Sequence, residues 1–172
     1  MADATDLHTL MLAVLDASVA ALDEIPGFAP GLSGAPERTF VSSGTPALDC
    51  CNQLSVNAST IREGQTGTGG LQAGQRHRYN GRINLVGVQV YITRCLSTTN
   101  DIPTPTEQQN LAEQTNADAW ALWNYMFRQA DLVALCDGLF MDAITPLNPS
   151  GGCSGWLLSM RLQLAGYENG AS

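Results

Sequence analysis

From Asp6 to Glu24, the residues Leu7, Leu10, Met11, Val14, Leu15, Ser18, Ala21 and Leu22 recur at the i, i+3, i+4, i+7 spacing. That period predicts an amphipathic helix with one apolar stripe, closed by Pro26 and Gly27. A Gly/Pro-rich connector over 27–36 follows, then a short strand over about 38–42 and a Gly44-Thr45-Pro46 turn. Three later stretches alternate instead. In DCCNQLSVNASTI the even positions include Cys50, Leu54, Val56 and Ala58, against Gln53, Ser55 and Asn57. In INLVGVQVYITRCL, Val86, Val88, Val90 and Ile92 oppose Gly87, Gln89, Tyr91 and Thr93. In WLLSMRLQL, Trp156, Leu158, Met160, Leu162 and Leu164 oppose Ser159, Arg161 and Gln163. A period of two predicts half-buried strands, with one sheet face covered and the other polar.

A second helix is expected between the last two strands. Thr104 is placed as its N-cap, Pro105 at its first position, and Glu107 closes a capping box. Its stripe reads Ala112, Thr115, Ala119, Trp123, Met126, Ala130 and Val133, broadened by Trp120, Leu122 and Phe127. The pattern fades near Cys136, with Gly138 as the C-terminal cap. The order α-β-β-β-α-β describes an α+β fold: a four-stranded, mostly antiparallel sheet with two helices packed on one face. Residues 1–172 form one domain. Leu54, Val56, Val88, Val90, Met160 and Leu162 are expected to share a buried face under Leu15, Trp120 and Trp123, leaving Ser55, Gln89 and Arg161 outside.

The segment 62–82, REGQTGTGGLQAGQRHRYNGR, breaks this economy. It is far longer than a hairpin loop needs to be. It holds six glycines and half of the arginines, Arg62, Arg76, Arg78 and Arg82. Ordering so many glycines costs backbone entropy, so the segment is expected to order against a partner surface. These four arginines are the candidate partner-binding residues, able to fork onto carboxylates.

Charge narrows the chemistry further. The formal net charge is −8, and all eight cations are Arg. Without Lys there is no Walker A loop, so GQTGTGG is a poor phosphate cradle, and no lysine Schiff base can form. An acidic chain is not expected to bind nucleic acid specifically. MADATDLHTL has no basic n-region, and no run reaches the roughly 18 apolar residues of a membrane span. Cys50, Cys51, Cys95, Cys136 and Cys153 include no C-x-x-C pair and are read as structural thiols, with one disulfide among them as an open alternative. No metal, cofactor or acid–base constellation is evident; Asp23-Glu24 has no partner cluster.

One motif raises catalysis. Gly151-Gly152-Cys153-Ser154-Gly155 can be read as G-x-C-x-G, a cysteine version of the nucleophile elbow. An elbow turns from strand into helix, whereas here the preceding PLNPSG reads as loop and a strict alternation follows. His8 lies on the first helix and His77 in the long loop, so neither is an expected base. The glycines are read instead as a tight lead into the last strand, with Cys153 packed at its mouth.

DCCNQLSV, VQVYITRC, the W-x-L-W of the second helix and PLNPSGGCSGWLLSMRLQL together resemble actinobacteriophage neck proteins, and most closely the tail terminators of long-tailed phages. The resemblance spans about 49–164, with GGC-x-G its most distinctive piece. It implies a non-enzymatic virion protein of the tail–neck region, assembled in the host cytoplasm. Such subunits form a homo-hexameric ring that caps the tail tube, ends its polymerisation and joins the tail to the head connector. Its partners would be further copies of itself, the tail tube protein and a connector or stopper protein. Genomic DNA would pass through the lumen without sequence-specific binding. A head–tail stopper or other neck protein is the nearest alternative. A cysteine hydrolase using Cys153 and a generic ligand-binding domain belong to other classes; rapid thiol labelling would mark the first and a closed pocket in a stable monomer the second.

Overall fold

The computed structural model describes residues 7–24, 34–47, 52–64, 83–95, 104–150 and 153–164. The elements are α1 (Leu7–Asp23), β1 (Arg38–Val41), β2 (Gln53–Gly64), β3 (Ile83–Cys95), α2 (Pro105–Tyr125), a 3-10 turn (Met126–Arg128), α3 (Ala130–Leu135), β4 (Gly138–Ser150) and β5 (Cys153–Leu164). The fold is α+β. Its sheet is mixed and five-stranded, in the order β1-β2-β3-β5-β4. β1 runs parallel to β2 and the other neighbours are antiparallel.

The even-numbered side chains form the core as their alternation predicts. Leu54, Val56, Val88, Val90, Met160 and Leu162 are buried together, with Val86, Ile92 and Leu158 beside them. From α1, Leu10, Met11, Val14, Leu15, Ala21 and Leu22 close over this face, and Leu122, Met126 and Leu132 join from the later helical segments. Each such side chain contributes about 1.5–3 kcal/mol of burial. The hydroxyl of Ser18, on the same stripe, donates to the Val14 carbonyl at 2.7 Å, which makes its burial tolerable.

Four expectations need correction. First, the sheet has a fifth strand. The stretch PLNPSG was expected as loop, but Pro146 and Pro149 lie in β4. β4 is an edge strand, where a residue without an N–H can leave its outer side unpaired. Its pairing with β5 shifts register between Met141 and Ala143 and between Leu147 and Ser150. Ser150 pairs with Cys153, so only Gly151 and Gly152 separate the two strands. A Gly-Gly pair between alternating runs is itself a hairpin signal.

Second, α2 begins as expected but ends early. The Thr104 hydroxyl accepts from the Glu107 N–H at 3.3 Å, and the Glu107 carboxylate accepts from the Thr104 N–H at 2.7 Å. The helix stops at Tyr125, and three 3-10 residues and an extended Gln129 separate it from α3. A 3-10 turn has a different period, so a stripe carried through it loses phase. The sheet is therefore accompanied by three helices rather than two.

Third, the face of α2 that packs inward is rotated from the apolar stripe. Thr115, Ala119 and Leu122 of the stripe are buried as expected, and Leu111, Gln114, Asp118 and Ala121 are buried beside them. Ala112, Ala130, Phe127 and Val133 are exposed, Trp123 is half-buried against the core, and Trp120 is 69% exposed. The Thr115 hydroxyl donates to the Leu111 carbonyl at 3.0 Å, and Asp118 is held by an ion pair. Arg94, at the end of β3, donates to Asp118 from Nε at 2.8 Å and from Nη2 at 2.9 Å, and its Nη2 also donates to the Gly34 carbonyl.

Fourth, the outer face of the sheet is not uniformly open. Gln89 and Ser159 are half-buried and Arg161 is exposed, yet Gln53, Ser55, Asn57, Tyr91 and Thr93 are buried. The half-burial rule treats each strand face as uniform along its length, and here one end of the outer face is closed.

Among the described residues, no helix is long and apolar enough to cross a membrane.

Candidate functional site

The four arginines singled out from the sequence are not brought together within the described residues. Arg62 stands in β2, its backbone paired with Leu85, so the strand covers the first residues of the expected loop. Arg76, Arg78 and Arg82 lie outside the described residues, as does the rest of the connector between Gly64 and Ile83.

Cys153 opens β5 opposite Cys95 of β3. It is buried, with 9% of its surface exposed, and its sulfur is in a disulfide. A disulfide sulfur is not the thiolate that nucleophilic attack requires. The local context is strand–hairpin–strand, without the helix that follows an elbow nucleophile. The last glycine of the motif has a packing reason instead: a β-carbon on Gly155 would overlap the Ile92 carbonyl of the adjacent strand. Cys50 and Cys51, read as structural, lie outside the described residues. Cys136 is half-buried, its thiol donating to the Leu132 carbonyl at 3.4 Å; burial pushes its pKa up, and Asp137 adds to that.

His8 is on α1, at an open cleft of about 750 Å³. Leu7, Met11 and Val41 give the cleft an apolar floor, and Ser42, Ser43, Ser59 and Thr60 supply hydroxyls. No carboxylate is among the described residues that line it. His77 lies outside the described residues. Asp23 and Glu24 have local work: Asp23 accepts from the Ala35 N–H at 3.1 Å and Glu24 from the Gln129 amide at 3.4 Å. Among the described residues there is no cluster of three His, Cys, Asp or Glu side chains able to hold a metal ion.

The outer surface of α2 and the segment after it are distinctive. Trp120, Phe127 and Val133 are all substantially exposed. Glu107, Glu113 and Asp131 are exposed on the same stretch, whose only base is Arg128, stacked 4.9 Å from the Tyr125 ring centre. Large exposed apolar groups of this kind mark surfaces that can meet a partner. Sequence reasoning assigned Trp120 to the core because an apolar stripe broad enough to include it looked continuous. Asp118, four residues from Gln114, was the missed signal for the inward face.

Neither a known protein-family pattern nor any curated protein matches this chain.

Proposed function

We propose that the chain is a tail-terminator subunit of a long-tailed phage. In this reading it forms a homo-hexameric ring that caps the tail tube, ends tube polymerisation and joins the tail to the head connector. The resemblance in sequence motivates the reading, and the observation that carries it is Trp120. An indole left 69% exposed in the middle of a well-capped helix costs solvation in the lone subunit. Tryptophan is the residue type most enriched among the anchors of protein–protein interfaces. Arg76, Arg78 and Arg82 complement in charge the exposed acids of the helical segments, so one copy's arginines can meet the next copy's Glu113 and Asp131 through forked, charge-assisted bonds. The alternative that Cys153 attacks a substrate is disfavoured by its sulfur being in a disulfide.

The test is electron microscopy of tubes assembled from the same phage's tail tube protein, mixed with this chain. A ring of subunits at one tube end is the expected result. Tubes with bare ends, or decoration along their sides, would overturn the proposal. Replacing Arg76, Arg78 and Arg82 together by Ala should reduce end binding, and rising salt should do the same to the wild type.

A further inference from the structure

The core face of the sheet runs out of cover at one corner. β2 and β3 change register between Ala58 and Thr60, so Ser59 is an extra residue in β2 and the alternation slips by one beyond it. Ile61 is therefore paired with Val86, and cross-strand partners share a face. Val86 is buried in the core, but Ile61 is 63% exposed. Two shortfalls leave it bare. β1 pairs only with Gln53 to Val56, so no described strand flanks β2 on that side beyond Val56. α1 begins at Leu7, which is itself 39% exposed. The open cleft of about 750 Å³ lies here, between Leu7 and Met11 of α1, Val41 at the end of β1, and Ala58 to Ile61 of β2.

Trp120 lies on the opposite flank. α1 packs on β1 and β2 at one side of the sheet, whereas α2 packs mainly on β5 toward the other. Separated surfaces of this kind join copies head-to-tail, the heterologous contact that closes into rings. Charge fits as well. Glu113 stands seven residues before Trp120, two turns along α2, so it shares the outer face, and both are exposed. The cleft has no carboxylate among its described lining residues, and Leu7 and His8 border it from the first turn of α1, which carries no acid. The N-terminal end of a helix attracts negative charge. We propose that Trp120 of one copy inserts into the cleft of the next, where it covers Leu7 and Ile61 and brings Glu113 toward a lining without carboxylates. A buried aromatic side chain removes about 150–250 Å² from water. The proposal rests on the ring reading and names the two surfaces that a ring of this chain would join.

The test is sedimentation velocity on full-length wild type, Trp120→Ala and Ile61→Asp, and on an equimolar mixture of the two variants. Both substitutions are at exposed positions, and urea unfolding checks that each variant is folded. Leu7→Asp takes the place of Ile61→Asp if the latter misfolds, since an acid suits the first turn of a helix. The wild type is expected to form closed oligomers, and each variant alone to stay monomeric. The mixture should form a heterodimer and stop there, because each pair holds one intact tryptophan and one intact cleft. Cleft variants that assemble like the wild type overturn the inference and leave the ring reading standing. A mixture that stays monomeric overturns it too. So does loss of assembly in Ile61→Asp but not in Trp120→Ala, which would give the cleft another occupant, such as an extended segment added along β2. A wild type that stays monomeric in solution overturns the inference, and microscopy of tube ends then decides the ring reading separately.

Discussion

Leu54 and Ser55 are neighbours on β2, and both are fully buried, but they sit in opposite kinds of interior. Leu54 points into the layer under α1, where every neighbouring strand adds another aliphatic group. Ser55 points to the other face, where Gln53 and Asn57 flank it and Tyr91 is paired across from it. Of that polar row, one Gln53 amide hydrogen finds the Ala47 carbonyl at 3.1 Å, while the Gln53 Oε1, Ser55 Oγ and Asn57 Oδ1 atoms find no partner. Burial alone therefore says little about what stabilises a fold. On the helix-side face it is the driving force; on the outer face the same burial carries a desolvation cost.

On the helix side the buried charged pair of Arg94 and Asp118 is where the largest effect is expected. Burial pushes the Asp118 carboxyl up from its ordinary range, against the pull of Arg94. The pair thus balances desolvation against attraction. Removing one partner strands the other charge, so Asp118→Ala should lose about 3–5 kcal/mol in urea unfolding. Replacing both, Arg94→Met with Asp118→Leu, should recover most of that loss. Equal losses in the single and double variants would show that the site depends on the charges themselves.

The next two substitutions set the faces against each other. Leu54→Ala should cost about 2–5 kcal/mol by opening a cavity in the aliphatic layer. Ser55→Ala, one residue away, should be neutral or raise stability by about 1 kcal/mol, because it removes an unsatisfied hydroxyl. Destabilisation by Ser55→Ala of the same size as by Leu54→Ala would mean that the polar row is held by hydrogen bonds after all.

The smallest effect expected is at the start of α2. The Thr104 N–H, with help from its hydroxyl, holds the Glu107 carboxyl below its ordinary value of 4.5. A carboxyl lowered in the fold contributes stability above its unfolded pKa and loses it as pH falls through the folded one. The melting temperature of Glu107→Gln should therefore fall slightly below wild type near pH 6 and converge with it near pH 3. A gap that persists in acid would show that shape, not charge, carries the cap.

Much of this was legible in the sequence because it is periodic. α1 and the three alternating strands follow from spacing, and Thr104-Pro105-x-Glu107 marks the start of α2 to the residue. β4 was not legible because prolines read as loop unless the strand is known to be an edge, and edge status is a property of the whole sheet. The inward turn of α2 was hidden for a similar reason. Asp118 and Gln114 look like solvent residues until Arg94, distant in sequence, is brought beside the first. The sequence raised catalysis at Cys153 but read the residue as structural, and only the β3–β5 register places Cys95 opposite it. Trp120 and Trp123 look equivalent in the sequence, and only the packing turns one in and the other out.

That last distinction bears on function. Trp120→Ala should leave the unfolding midpoint within experimental error of wild type, as an exposed substitution does, yet impair assembly. The most direct measurement of the proposed terminator role is the length distribution of tubes grown from a long-tailed phage's tail tube protein in the presence of this chain, wild type or Trp120→Ala. The account predicts that the wild type arrests growth and shortens the tubes, while folded Trp120→Ala leaves them as long as tubes grown alone. Tubes of the same length with wild type as without it would contradict the account.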